Sequence, residues 1–496
     1  MCQNYFDFLK KMPKISFSEE NAGKTPVILP VFSDEFSLES RKIFRGLSTK
    51  QKRAVRRFIA DFPVKKSGFL PIFCGADAPV FVNFLGEKRD EIARRDVREN
   101  AENVPQKIKK YGFDEVLVVV GGLDDELSRA FFEGIVFGNY EFSAFFGKKK
   151  KEAQKKSGEK FPQKWIFFGK NQPERKVEVE KIAAGIALAK DIINTPPSIA
   201  RPSFVEKTAR EIAKNDGVSI KVLGEKDLEK LNCGGILAVG RASKEESRLI
   251  ILEYAGGEKD EKPIALVGKG VTFDTGGHNI KGRFMRWMKQ DLGGAATVLG
   301  AFSAISALKI KKNVVAVIPT VENMVNADAY FPDDILKMYN GITVEVDNTD
   351  AEGRLILADA LAYADDKIAP RAMVDLATLT GACVYAVGDD FTAGLSTDTN
   401  LFAALKKSSE NVDEPLWELP LHARYEKALK SATADLVNCS DGLKPGTIEG
   451  GLFLKNFVKK ETPWCHLDIA SVAFDEKIGL ATGRDVRLLI DFAKNF

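Results

Sequence analysis

The sequence predicts an α/β protein of two domains: a smaller N-terminal α/β domain, and a C-terminal one built on a mainly parallel sheet flanked by helices. Three observations carry this expectation. The 496 residues exceed what one hydrophobic core usually supports. Strand-length apolar runs alternate with helix-length amphipathic segments. Beyond about residue 175 the strand-like runs are apolar almost throughout, as strands covered on both faces are.

The first domain, set at residues 1–172, contains the short runs TPVILPVF, GFLPIFCG and APVFVNFLG. The helix-like DEIARRDVRENAENVPQKIKKYG, the run EVLVVVGG and the helix-like DELSRAFFEGIVFGNY follow. The segment KKKKEAQKKSGEK (148–160) carries seven lysines against two glutamates and is expected to be a hydrated loop without function. After KWIFFG, the segment ERKVEVEKIAAGIALAKDIINTPPS has apolar residues at three- and four-residue steps and predicts a long helix, ended by Asn194 and the Pro196-Pro197 pair.

In the second domain, residues 173–496, the strand candidates are SRLIILEYAG, KPIALVGKGVTFD, NVVAVIPTVEN, ITVEVDN, AMVDLATLTG and PWCHLDIA. They alternate with helix candidates that include GGAATVLGAFSAISALK, RLILADALAYADD and GTIEGGLFLKNFV. Ligands of such sheets bind beyond the carboxyl ends of the strands.

Composition narrows the function. Lys plus Arg (73) nearly balances Asp plus Glu (70), so a net charge of +3 gives no electrostatic case for a nucleic-acid or membrane partner. The six cysteines (Cys2, Cys74, Cys233, Cys383, Cys439, Cys465) are scattered without a CxxC pair, which suits reduced thiols. The opening MCQNYFDFLKKMPKISF lacks the pattern of a cleaved signal, and no run approaches 18 apolar residues. A cytoplasmic location is expected. GxxxxGK[ST] and GxSxG are both absent, against a P-loop or a serine-hydrolase elbow.

Two stretches concentrate charge at strand ends. In ALVGKGVTFDTGGHNIKGRFMRWMKQDLGGAATV (265–298), Lys269, Asp274, Lys281 and Asp291 stand among glycines. In VDNTDAEGRLILAD (346–359), Asp350, Glu352 and Arg354 lie between a strand-like and a helix-like run. Taken singly, each has a bland reading. Asp350 and Glu352 could be helix-start acids, Lys269 a surface residue, Asp291 an N-cap, Arg354 the partner of a nearby acid, and His278 turn filler. Jointly, four carboxylates at the ends of one sheet repel one another unless cations lie among them. If the Asp350–Glu352 stretch is extended, these two side chains point to one side. Without HExxH, an oxygen-rich site with one amine suits Mg, Mn or Zn. Four carboxylates suit a pair of ions about 3.5–4 Å apart.

VGKGVTFDTGGHNIK, QDLGGAATV and, above all, NTDAEGRLILADAL resemble the leucyl (cytosol) aminopeptidase family of dinuclear metallopeptidases. DLATLTGA (375–382) and HLDIA (466–470) add to the resemblance, which covers roughly residues 175–496. It implies one metal held by Asp274, Asp350 and Glu352, and a second held by Lys269, Asp274, Asp291 and Glu352. Zn or Mn are the implied ions, with Mg or Co as alternatives. It further implies Lys281 and Arg354 as the catalytic pair, with a bicarbonate at Arg354. Met288, Thr378, Leu379, Gly381 and Ala470 fall where the family binds substrate. The segment from Lys281 to Asp291 is one residue shorter than the family pattern. The implied activity is release of amino-terminal residues, Leu-like ones preferred, from peptides with a free N-terminus by a homohexamer. The variable N-terminal domain would be a candidate for oligomer contacts. The alternative is a non-catalytic DNA-binding or assembly protein that keeps the fold.

Overall fold

The computed structural model describes residues 12–20, 24–32, 44, 46–61, 68–85, 94–169, 172–440 and 445–496. Cys2, the chain start and the first residues of DEIARRDVRENAENVPQKIKKYG lie outside them. Two compact units are present, Met1–Ala183 and Ala184–Phe496, divided within the helix Pro173–Asn194.

The first unit contains strands β1 (Lys14–Ser18), β2 (Val27–Val31), β3 (Gly68–Cys74), β4 (Asp77–Phe84), β5 (Glu115–Val118) and β6 (Lys164–Phe168). They pair in the order β1-β6-β5-β2-β4-β3, parallel except for the β3–β4 hairpin. The expected Lys-rich loop is instead a helix, Lys148–Ser157, closed by Gly158 in the left-handed region (φ 71°). None of its residues is buried. Lysine is a good helix former, so a segment can be fully hydrated and still helical.

The second unit is built on β7 (Val218–Leu223), β8 (Arg248–Ala255), β9 (Ile264–Gly268), β10 (Gly270–Asp274), β11 (Asn313–Asn323), β12 (Ile335–Lys337), β13 (Thr343–Glu345), β14 (Ala372–Ala377), β15 (Thr392–Ser396), β16 (Leu416–Glu418), β17 (Leu436–Val437) and β18 (Trp464–Asp468). The main sheet runs β16-β15-β18-β14-β9-β11-β8-β7, with β10 also on β11. Its centre, β18-β14-β9-β11, is parallel, and antiparallel pairs join β15 to β18, β8 to β11 and β7 to β8. Central strands β9, β14 and β18 are buried at every position, as strands covered on both faces are, and the polar Asp375, His466 and Asp468 on them are buried as well. The run ITVEVDN departs from expectation. Only Thr343–Glu345 is strand, and it belongs to a separate small sheet, β12-β13-β17.

The run KPIALVGKGVTFD forms two strands that interrupt at Lys269 and both pair with the continuous β11. Ile264 lies opposite Val314 and Gly270 opposite Thr320, the same offset on both sides of Lys269. Asp274 lies opposite Asn323, one residue out, because the register shifts between Val271 and Asp274. Side chains five apart on a regular strand point to opposite faces, and a bulge of one residue reverses that parity. Lys269 and Asp274 are thereby brought to the same side.

Helix Gly293–Ala307 is apolar and almost wholly buried, as expected of a helix covered all round. It meets helix Pro173–Asn194 backbone to backbone: a Cβ on Gly185 would lie 2.5 Å from the Gly300 carbonyl oxygen, and one on Gly300 2.5 Å from that of Gly185. Replacing Gly300→Ala should therefore force the helices apart, at about 1–3 kcal/mol. The expected outcome is a lower urea midpoint for the second unit with an unchanged m value.

Candidate metal centre

The charged residues singled out in the sequence converge at the carboxyl ends of the central strands. Lys269 sits at the β9–β10 interruption, its amide donating to the Leu376 carbonyl and its own carbonyl accepting from Ala295. Those bonds fix the main chain on β14 and on the first turn of helix Gly293–Ala307. Its ammonium, 2 % exposed as a residue, lies 2.7 Å from Asp291 Oδ1, 2.9 Å from Glu352 Oε1 and 3.0 Å from the Thr378 carbonyl oxygen. Lys281 Nζ lies 2.8 Å from Asp274 Oδ2 and 2.7 Å from Asp350 Oδ1. Asp274 Oδ1 accepts from the Gly276 amide and from Asn323 Nδ2.

Asp350 and Glu352 are not on an extended stretch as expected. Asp350 is in a turn and Glu352 is the first residue of helix Glu352–Lys367, where an acidic residue suits the helix dipole. The bland reading and the sharp one therefore describe the same residue, because the helix start delivers its carboxylate into the cluster. Asp291 is not an N-cap. It lies within the 3-10 segment Gly282–Leu292, and Leu292 caps the following helix.

Electrostatics within the cluster are uneven. Burial, helped by Glu352, pushes Asp274 well above the usual carboxylate range. Burial likewise raises Asp350 despite Lys281, and raises Asp291 to about 6 despite Lys269. Glu352 goes the other way, since Lys269 and Lys281 outweigh its burial. Burial alone would lower both lysines, but Asp291 beside Lys269 and Asp274 beside Lys281 head the carboxylates that leave both raised.

The donor set fits divalent cations. Asp274, Asp350 and Glu352 each offer an oxygen within 4.8 Å of the others. Asp291 Oδ2 and Glu352 Oε2 are buried without a hydrogen-bond partner among the described residues, an expensive arrangement for a carboxylate unless something else binds it.

Arg354, 7 % exposed, donates to the Asn438 carbonyl at 2.7 Å and stands 3.8 Å from Glu449 Oε1. Thr378 joins the cluster, its hydroxyl donating to Asp291 Oδ1 at 2.9 Å. Leu379 and Ala470 are half-buried neighbours tied to one carboxylate, Asp468. Gly381 is exposed at the start of helix Gly381–Val387. Met288 is half-buried in the 3-10 segment. His278 stacks on Phe331 at 4.6 Å and its Nδ1 faces the Tyr330 carbonyl.

Sequence reading missed three supporting residues. Asn323 ends β11 and bonds both Asp274 and the Thr349 carbonyl. Asn438 receives Arg354 and also accepts from the amides of Asp347 and Asn348. Asp468 is the third. Asn323 closes a run already read as a strand and Asp468 lies two residues before the end of another, PWCHLDIA, so their place near a strand end was the available signal.

A mainly parallel sheet with a carboxylate–lysine cluster at its carboxyl edge defines an α/β protein with a candidate metal centre. The description of the cytosol aminopeptidase family's catalytic domain matches residues 187–490, and the chain belongs to that family. It is 34% identical over 498 residues to a probable cytosol aminopeptidase of Aquifex aeolicus, covering 98% of each chain. It is 48% identical over 317 residues to one of Syntrophotalea carbinolica, where the match spans 62% of this chain and 63% of that relative. A solved structure of a mutant tomato leucine aminopeptidase matches with a TM-score of 0.84 at 27% identity, over 98% of this chain and 97% of that one.

Gly353 makes room for the lysine, since a Cβ there would lie 2.4 Å from Lys269 Cε and 2.5 Å from its Nζ. Gly353→Ala should displace the ammonium while leaving the helix intact, alanine being the better helix former by about 1 kcal/mol. Calorimetric titration with Mn²⁺ is expected to show at least ~10-fold weaker binding, and thermal unfolding a lower midpoint, because the displaced ammonium no longer compensates Asp291 and Glu352.

Proposed function

We propose that this chain is a metal-dependent aminopeptidase that releases amino-terminal residues, with a preference for Leu-like side chains, from peptides with a free N-terminus. The observation that carries the reading is the largely buried cluster itself: four carboxylates, of which Asp291 and Glu352 each keep an orphaned oxygen, gathered with two lysines. Asp274, Asp350 and Glu352 would hold one divalent ion. Lys269, Asp274, Asp291 and Glu352 would hold the other, so that Asp274 and Glu352 belong to both sets. Zn and Mn suit this mixed oxygen and amine set. When bound, the ions would polarise the scissile carbonyl and acidify the attacking water, and a bicarbonate at Arg354 would supply the general base.

The chain's own residues do the rest. With the carboxylates' charge balanced by bound cations, the Lys281 ammonium, paired with Asp274 and Asp350 in this structure, would donate to the developing oxyanion. Asp291 places negative charge where the substrate's α-amino group arrives, so the cut falls at the amino terminus. Arg354 is held by the Asn438 carbonyl and by Glu449, contacts that use few of its five donors, and an anion can take others. Thr378, Leu379 and Gly381, on the segment after β14, would run beside the substrate main chain, with Met288 and Ala470 at the side-chain pocket. An apolar pocket separates Leu from Met by only ~1–3 kcal/mol, so the preference is graded.

Residues 173–496 form the catalytic domain in this proposal, and residues 1–172 contribute contacts within a homohexamer. A cytoplasmic location agrees with the relatives' naming as cytosol enzymes. No helix among the described residues is long and apolar enough to cross a membrane.

The decisive experiment is turnover of a leucine anilide after chelation and re-addition of Mn or Zn. Wild type should regain activity. Glu352→Ala should not, because it removes the carboxylate shared by both ions, and undiminished turnover by that variant would refute the proposal.

A second outcome concerns pH. The Lys269 ammonium is stabilised by its carboxylates, so an ion must displace its proton to use the amine. Metal affinity should rise with pH, about tenfold per unit for one displaced proton. Below about 6, where Asp291 is also protonated, the dependence should steepen. Mn²⁺ titrations in buffers of different ionisation enthalpy would count the protons released.

A further inference from the structure

Trp464, His466 and Asp468 alternate along β18 and so share one face of it. All three are buried with no measurable exposure. The first two are tied to β14: Trp464 Nε1 donates to Asp375 Oδ2 at 2.7 Å, and His466 Nδ1 lies 2.6 Å from Asp375 Oδ1, directly across the parallel pair. Asp468, at the strand's end, makes a different kind of contact. Its Oδ1 accepts from the amides of Leu379 and Ala470, both at 3.1 Å, and its Oδ2 accepts from the Thr380 hydroxyl at 2.7 Å. One carboxylate thus holds together the segments that follow two neighbouring central strands.

The segment so held is the one that reaches the cluster. Thr378, next to Leu379, presents its carbonyl to Lys269 and its hydroxyl to Asp291. Thr380 in turn accepts from the Cys383 amide and caps helix Gly381–Val387. We infer that Asp468 is a positioning residue for substrate: by accepting from Leu379, Ala470 and Thr380 it sets the main chain along which the peptide lies. This rests on the proposed aminopeptidase reading. Asp468 touches neither the proposed ion ligands nor the reacting atoms, so its effect belongs to substrate binding. Losing it frees two amides and a hydroxyl at once, and a segment free to move must be ordered again each time a peptide binds.

The test compares Asp468→Ala, Asp468→Asn and Thr380→Val with wild type, using a leucine anilide at saturating Mn²⁺, Mn²⁺ titration, and amide hydrogen exchange. Asp468→Ala should raise KM by about tenfold or more, with kcat and Mn²⁺ affinity within roughly threefold of wild type. Exchange protection at Leu379 and Ala470 should be lost. Asp468→Asn keeps one oxygen for both amides and can donate its nitrogen to Thr380, so KM and protection should return close to wild type. An unchanged KM in Asp468→Ala, retained protection at both amides, or a loss confined to kcat and Mn²⁺ affinity would overturn the inference. Should Asp468→Ala fail to fold, Thr380→Val removes the Oδ2 arm together with the cap on the Cys383 amide and the bond to Thr447; it should raise KM about threefold and reduce exchange protection at Leu379, and no change in either would overturn the inference. If wild type itself turns over no anilide, the aminopeptidase reading fails, while exchange still decides whether Asp468 holds the two segments.

Discussion

The repulsion among four carboxylates, three buried and Asp350 half-buried, is the constraint on which the second unit depends. Asp274, Asp291 and the Asp350–Glu352 pair come from three segments, and burying these carboxylates without compensation would cost more than packing returns. Compensation is supplied in two parts: Lys269 sits against Asp291 and Glu352, and Lys281 against Asp274 and Asp350. Each ammonium thus serves carboxylates from two segments. The ion pairs join the β9–β10 interruption, the 3-10 segment and the start of helix Glu352–Lys367 at a single point.

Backbone geometry does the aiming. Gly353 leaves space for the Lys269 side chain, and the main chain of Lys269 is fixed between Leu376 and Ala295. Asn323 holds Asp274 from the end of β11, and Asn438 holds Arg354 from the loop after β17. These neutral residues carry none of the proposed chemistry. They set the directions in which charged side chains point, which decides whether like charges share a site or only clash.

Much of this was legible in sequence because charge is conspicuous inside apolar runs. NTDAEGRL and the glycine-flanked Lys269 stand out, and the strand candidates β8, β9, β11, β14 and β18 were recognisable from their mostly apolar, strand-length runs. What stayed hidden depends on pairing across long separations. The bulge before Asp274 exists only relative to β11, and the contacts of Asn323, Asn438 and Asp468 join segments far apart in the chain. The extended reading of Asp350–Glu352 failed for a local reason: an acid followed by RLILADAL is a good helix start, and that preference won. In the Lys-rich run, hydration was read correctly but secondary structure was not, because exposure alone does not separate helix from loop.

The out-of-step pairing of β10 has a consequence for how this segment can vary. Because the extra residue sets the face on which Asp274 emerges, adding or removing one position between Val271 and Asp274 would turn the carboxylate toward the opposite side of the sheet. Exchanging Thr272 or Phe273 for another residue would leave its direction unchanged. Length is thus the heritable property here more than identity, and variants of this fold should accept insertions elsewhere before they accept one within these four residues.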